Sequence, residues 1–409
     1  MSIDATAVTI GVVREQREGE HRVAMTPAAV GALLKRGARI LVEQGAGEPA
    51  GFPDQAYLDK GAQIVGRAEA LAAHVLVRVQ VDEDAVATTH TDQIVIGLAT
   101  PLAAPKVVSE IAERGATLFA MELVPRTTRA QAMDALSSQA NIAGYKAVLL
   151  AAGALPKMCP MLTTAAGTIP PAKVLVVGAG VAGLSAIATA RRLGALVEAY
   201  DVRPAVKEEV ESLGARFVEL PLETGQEGGG SGAYAQQLSE DALRRQRELL
   251  TKTVASSDVV ITTAQVQGAK APVIVTADMV DQMSPGSVII DLAAEQGGNC
   301  EVTVAGQTVD HGGVHVIGPV NVPATVPTHA SLMYAKNVAN LLQLMLRDGS
   351  IDVDVDDDIV RDTLVARDGE IVHTRVREAF GLPVAAAPEP TPEPTPEPTP
   401  EPGPEEVTE

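Results

Sequence analysis

Residues 174–201 read VLVVGAGVAGLSAIATARRLGALVEAYD, and this stretch constrains the fold more than any other in the chain. An apolar run, VLVV, meets Gly178, Gly180 and Gly183 in G-x-G-x-x-G spacing, with Ala179 and Val181 interleaved. An amphipathic helical pattern follows, then a second strand, LVEAY, ending at Asp201. Each glycine has its own role. Gly178 makes the tight turn, Gly180 lets a pyrophosphate approach the backbone, and Gly183 lets helix and strand pack closely. The free N–H groups at the helix start then face the phosphates. A carboxylate at Asp201 accepts hydrogen bonds from ribose hydroxyls and repels a 2′-phosphate, which favours NAD over NADP. Arg203, just past Val202, weakens that preference, because an arginine there can accommodate the 2′-phosphate.

The same β–α alternation runs through most of the 409 residues. In the first half, residues 8–13, 39–44, 74–80, 93–99 and 116–122 read as strands, and PAAVGALLKRG (27–37) reads as a helix ending at Gly37. After the Pro-rich break TIPPAK (168–173), strands recur at 174–177, 196–200, 215–220, 258–263, 287–292 and 314–318. Near-continuous apolar strands separated by helices imply parallel sheets covered on both faces. The chain is therefore expected to be α/β, with two Rossmann-like domains, each a mainly parallel sheet flanked by helices. The first takes residues 1–143 and 327–385, because HASLMYAKNVANLLQLML (329–346) can return the chain to it; the second takes 144–326. From 386 to 409 the period-four PEPT repeat has too little apolar surface to form a core and reads as a disordered linker or tail.

Composition excludes several partners. A net charge of −20 argues against nucleic acid and anionic membrane surfaces. The N-terminus has no basic region before its apolar run, so it reads as an opening strand and not a signal peptide. The longest apolar run, Ala147 to Leu155, is about half the ~20 residues a membrane span requires. The two cysteines, Cys159 and Cys300, form no CxxC pair, which fits a reducing cytoplasm. DVDVDDD (352–358) lacks the Gly and Glu of a calcium loop, and HGGVH (311–315) has no third ligand nearby, so no metal is expected. EQGAGEPAG (43–51) has glycines after a strand but opens no apolar helix, and reads as a loop.

One further stretch, RAQAMDALSSQANIAGYKAV (129–148), places Gln131, Asp134, Ser138, Asn141 and Tyr145 three and four apart. That spacing predicts one polar stripe along a helix, either solvated or holding a polar ligand.

Taken together, these blocks resemble the alanine dehydrogenase/transhydrogenase superfamily, in particular the NAD(H)-binding alpha subunit of proton-translocating NAD(P) transhydrogenase. The likeness rests on EHRVAMTP (20–27), GAGEPAGFPDQAY (45–57), the 129–148 stretch, VVGAGVAGLSAIATARRLGA (176–195), YDVRP (200–204), GAKAPVIVT (268–276), PGSVIIDLAAEQGGNCE (285–301) and NVPATVPTHASLMYAKN (321–337). The resemblance implies that Arg126, Gln131, Asp134 and Ser137 orient the nicotinamide. It adds Ala264 and Gln265 to the nucleotide site, and Gly232 and Tyr234 in a Gly-rich loop (223–237) that closes over it. NAD(H) binds here and NADP(H) binds on a partner subunit, with direct hydride transfer between them and proton translocation in membrane-spanning subunits. The chain is expected to be a homodimer without membrane insertion, held on the cytoplasmic face through its partners. Its end after a Pro/Glu segment resembles the form in which the membrane subunits are separate polypeptides.

Two alternatives stand beside this. Alanine dehydrogenases place a Lys in the strand matching HVLVRVQ and a His shortly after the strand matching QIVIGLA, and use them on the keto acid. Here Arg78 stands at the Lys position, and GLATPL (97–102) has no His, although Arg22 and Glu295 remain near matching blocks. Loss of a general acid removes a factor of about 10²–10⁴ in rate, which argues against an amino-acid dehydrogenase. The other alternative is an NAD(H)-binding module that performs no chemistry.

Overall fold

The computed structural model describes residues 7–219, 240–266 and 268–383. The 223–237 loop, with Gly232 and Tyr234, and the tail from 386 lie outside the described residues. Two large sheets account for most of the strands.

The first sheet begins with β1 (Thr9–Val12), β2 (Arg39–Glu43), β3 (Gln63–Val65), β4 (Val75–Gln80), β5 (Ile94–Leu98) and β6 (Thr117–Ala120). These six are parallel in the order 3-2-1-4-5-6, with Ile10 opposite both Ile40 and Val75. An exposed hairpin follows, β7 (Leu162–Thr164) and β8 (Gly167–Ile169). The second sheet holds β9 (Lys173–Val177), β10 (Leu196–Tyr200), β11 (Arg216–Phe217), β12 (Val259–Thr262), β13 (Val288–Asp291), β14 (Thr308–His311) and β15 (Val314–Ile317). Its parallel strands repeat the same doubly wound order, and β14 pairs antiparallel at the edge. The apolar runs explain the parallel pairing: every residue of β12 and β13 is buried, as expected for strands covered by helices on both faces.

After the second sheet the helix Pro327–Met345 carries the chain back to pack on the helix Pro27–Leu34. Its Tyr334, Val338, Leu341 and Leu342 join Ile10, Val77 and Phe119 in one core. The small hairpin β16 (Leu346–Arg347) and β17 (Ser350–Ile351) follows, then β18 (Leu364–Arg367) and β19 (Glu370–Ile371). The last two extend the first sheet antiparallel beyond β6.

The polar stripe does not form as predicted. Residues Thr128–Met133 make a 3₁₀ turn, and the α-helix begins only at Ala135 and runs to Ala154. The cause is local: the Asp134 carboxylate accepts from the Ser137 backbone N–H at 2.8 Å and from Ser137 Oγ at 2.6 Å. Asp134 thus caps the helix from a non-helical conformation, which places Gln131 outside it. The body of that helix crosses the glycine-motif helix Val181–Arg192 at Gly144. A Cβ there would stand 2.0 Å from the Ala182 carbonyl oxygen.

Candidate functional site

The glycine loop has the geometry its spacing implies. Gly178 has φ +96°, in the region only glycine enters freely. A Cβ on Gly183 would lie 1.9 Å from the Gly178 carbonyl oxygen, so strand and helix meet there with no room for a side chain. A Cβ on Gly180, by contrast, would meet nothing within 4 Å. That open face, beside the helix starting at Val181, is the cradle a pyrophosphate fits. Ala179 is buried and donates its N–H to Asp201 at 2.7 Å, while Val181 and Val202 are exposed on the rim.

Asp201 stands at the end of β10. Its carboxylate also accepts from the Arg203 backbone N–H at 2.8 Å and takes the Arg203 guanidinium through Nε and Nη2, each at 3.0 Å. Burial works to raise its pKa, but the Arg203 and Ala179 donors more than offset this and hold the carboxyl below its usual range. Arg203 therefore does not stand apart as a phosphate receptor. On the far side of the loop Ala264 donates to Asn299 Oδ1 at 2.9 Å, and Gln265 Nε2 donates to the Leu292 carbonyl at 2.6 Å.

The other predicted group lies at the start of the helix Ala135–Ala154. From Asp134 to the Gly144 crossing is ten residues, or about 15 Å at 1.5 Å per residue. One rigid helix thus sets Asp134 and Ser137 at a fixed remove from the glycine loop. Ser185 Oγ donates to the Asn141 carbonyl at 2.7 Å and ties the two helices again. Arg126 and Gln131 are exposed on the segment leading into this helix. Arg126 and Asp134 line one cavity of about 660 Å³, together with Glu122, Leu136 and His373 among others.

A second cavity, about 550 Å³, lies between the two sheets, bounded by Gln80, Thr100, Glu122, Lys270, Glu295 and Asn321 among others. Arg78, which sequence reading placed where alanine dehydrogenases use a Lys, does not reach it. Its guanidinium is buried and bonded to Asp84 and Thr88, both at 2.9 Å. The physical reason is a bulge in β4 between Val77 and Gln80 against β5. The extra residue breaks strict alternation, and it is Gln80 that lines the cavity. Arg22 is likewise committed: it donates to both Glu20 oxygens, to Gln139 Oε1 and to Asn321 Oδ1, at 2.6–2.9 Å.

Sequence reading missed Glu122. Its residue type is common and its strand-end position carried no motif, so only the fold reveals it. Burial raises its carboxyl to about 7, although the backbone N–H groups of Ala99 and Thr100 pull the other way. Glu15, buried behind β4 and accepting from the Val79 N–H at 2.6 Å, is pushed up to about 7 by the same desolvation.

A doubly wound sheet with an open glycine cradle and a strand-end carboxylate defines a dinucleotide-binding type of protein. The alanine dehydrogenase/PNT N-terminal domain matches residues 11–143, and the alanine dehydrogenase/PNT C-terminal domain matches residues 147–374. The NAD(P) transhydrogenase subunit alpha of Haemophilus influenzae is 45% identical over 365 residues, covering 88% of this chain and 71% of that protein. The first of the polypeptides that make up the NAD(P) transhydrogenase subunit alpha of Rhodospirillum rubrum is 43% identical over 374 residues, covering 89% and 97%. Among solved structures, the transhydrogenase from Sinorhizobium meliloti superposes with a TM-score of 0.82 at 42% identity, covering 89% of this chain and 100% of that one. The chain belongs to the alanine dehydrogenase/PNT family.

Proposed function

We propose that this chain is the NAD(H)-binding subunit of a proton-translocating NAD(P)⁺ transhydrogenase. NADH held between Gly178 and Asp201 gives its hydride directly to NADP⁺ on a partner subunit, leaving NAD⁺ here and NADPH there. The observation that carries the reading is the commitment of two arginines. Arg22 donates to Glu20, Gln139 and Asn321, and Arg78 turns its two terminal nitrogens to Asp84 and Thr88 away from the cavity, so neither offers a fork to a keto acid. A reaction between two nicotinamides needs no such fork. It needs positioning, with the reacting carbons about 3–3.5 Å apart. Gly178, Ala179, Gly180, Val181 and Gly183 hold the pyrophosphate, Asp201 holds the adenine ribose with Val202 and Arg203 at its rim, and Ala264 and Gln265 line the way toward the nicotinamide. Arg126, Gln131, Asp134 and Ser137 orient the ring.

In this reading the chain divides at 143/144 and 326/327, works as a homodimer, and sits on the cytoplasmic face through NADP(H)-binding and membrane-spanning subunits. Among the described residues no helix is long and apolar enough to cross a membrane, which leaves the proton path to those partners. The test is reconstitution: the purified chain is added to membranes lacking it, and reduction of an NADP analogue by NADH is followed. A restored, NADH-dependent rate supports the proposal, and no gain overturns it.

One observation favours the amino-acid dehydrogenase reading. Glu122, a carboxyl near neutrality, and Lys270 border the same cavity and could supply a proton and a cation. NADH oxidation by the isolated chain with pyruvate and ammonia, lost in Glu122→Gln, would establish that reading instead.

A further inference from the structure

The parallel neighbours β5 and β6 end side by side, at Leu98 and Ala120, and the residues just past them are joined through one side chain. Glu122 is buried, yet its carboxyl accepts the N–H groups of two successive residues on separate oxygens. Ala99 donates to Oε2 at 3.2 Å and Thr100 donates to Oε1. Thr100 itself has φ +44°. That region is unfavourable for a β-branched side chain, and such strain persists only where the surroundings impose it, most often at ligand sites and switch segments. The rest of the turn hangs on the same residue: the Thr100 carbonyl accepts from the Ala103 and Ala104 N–H groups at 2.8 and 2.9 Å.

Held in this way, the loop reaches the segment that follows β12. A Cβ on Gly268 would stand 2.7 Å from Leu102 Cβ, so the two segments touch with no room for a side chain. Residues 100–103 line one side of the 550 Å³ cavity and residues 268–270 line another. Because β12 pairs with β9, which leads into the glycine loop, the wall at 268–270 continues the nucleotide site past Gln265. The cavity lies at the carboxyl ends of the strands, where doubly wound sheets take their ligands. Packing alone does not call for a carboxyl at position 122, since burying one costs hydration that an apolar side chain avoids.

We propose that Glu122 is a positioning residue: it holds Thr100 in its left-handed conformation, keeps Leu102 against Gly268, and so fixes the wall on which the nicotinamide end of NADH rests. The proposal takes the nucleotide from the functional reading above.

The experiment uses the full chain without its partner, and reads NADH affinity by fluorescence titration beside amide exchange by mass spectrometry. Glu122→Gln turns an amide NH₂ toward one of the two N–H donors and leaves it unpaired. It is expected to weaken NADH binding about tenfold and to speed exchange across 98–104 and 268–271, with 178–201 unchanged. Adding Thr100→Gly, since glycine enters the left-handed region freely, is expected to restore affinity to within about threefold of wild type. Rescue of that kind separates positioning from a merely structural role. Wild-type affinity and exchange in Glu122→Gln overturn the proposal, and so does a loss that Thr100→Gly leaves uncorrected. Leu102→Ala keeps the carboxyl and serves where Glu122→Gln does not fold. It should speed exchange in 268–271 and weaken NADH binding, and wild-type values overturn the proposal. NADH oxidation with pyruvate and ammonia that Glu122→Gln abolishes, while exchange stays at wild type, marks a proton donor instead and also overturns it. None of these readings involves the partner subunit. Failed reconstitution beside the expected affinities therefore sinks the functional reading and leaves the positioning role standing.

Discussion

Gly180 and Gly183 are three residues apart and place opposite demands on the fold. At Gly183 an added methyl would run into the Gly178 carbonyl, which is backbone and cannot rotate away. Gly183→Ala is expected to cost about 1–3 kcal/mol in denaturant unfolding, by forcing strand and helix apart. Gly180→Ala meets only open space, so stability should stay level or rise by up to about 1 kcal/mol. Its NADH affinity should nevertheless fall, because the methyl occupies the phosphate approach; unchanged affinity by fluorescence titration would remove Gly180 from the site. Asp201 is open to the same kind of test. Asp201→Asn keeps the shape but removes the charge that Arg203 and the ribose share, and hydrogen bonds to a charged group are worth about 1.5–3 kcal/mol. NADH affinity should drop roughly tenfold to a hundredfold, and the preference for NADH over NADPH should shrink, because the repulsion of a 2′-phosphate is gone.

At the scale of elements, the segment Thr128–Met133 is held from outside. Arg129 forks onto Asp357 at 2.6 and 2.8 Å and also reaches Asp358, so the acidic run that sequence reading rejected as a calcium loop anchors the entrance to the long helix. The Arg129 hydrogen bonds hold the Asp357 carboxyl at about 2, below its ordinary 3.8. A depressed acid contributes stability fully above the unfolded value and loses it as pH falls through the folded one. The clamp should therefore be intact above about pH 4 and lost toward pH 2. Arg129→Ala should change stability little near neutrality, since Arg129 is half exposed and its ion pair is screened by water, and should reduce the acid sensitivity of unfolding in that window. Faster amide exchange confined to 128–133 would locate the effect. The long buried strands were legible because an apolar run of four or five residues has few other uses. β3, β14 and β19 were not, being short, partly exposed edges without such a run, and neither was β18, a buried strand with only three apolar residues before Arg367. The glycine loop was legible as well, since its roles are backbone roles fixed by spacing. The cavity holding Arg126 and Arg375 was not, because those residues lie far apart in sequence and only the antiparallel return of β18 and β19 brings them to one edge. The bulge that turns Gln80 toward the cleft leaves no mark in composition either.

Across the whole molecule, Arg22 joins parts that sequence separates by hundreds of positions. Its guanidinium is fully engaged by Glu20 on the same loop, Gln139 on the long helix and Asn321 at the entry to the returning segment. Asn321 has φ +46° and donates its N–H to Glu295 at 3.0 Å, while its side-chain amide donates to Glu20 at 2.9 Å. Burial alone would raise the Glu20 carboxyl, but Arg22 and Asn321 reverse that and hold it low. Breaking such a pair from one side leaves a buried charge alone, at a cost of about 3–5 kcal/mol. Arg22→Met should destabilise the chain by that amount, and adding Glu20→Gln should recover much of it, because the stranded carboxylate is then neutral. NADH affinity of the folded fraction should change little in either variant, as Arg22 makes no contact with the glycine loop. Were Arg22 instead a substrate anchor, the double variant would regain stability but lose a keto-acid-dependent oxidation of NADH that the wild type performs. Measuring unfolding and that oxidation on the same three proteins separates a structural hub from a substrate site.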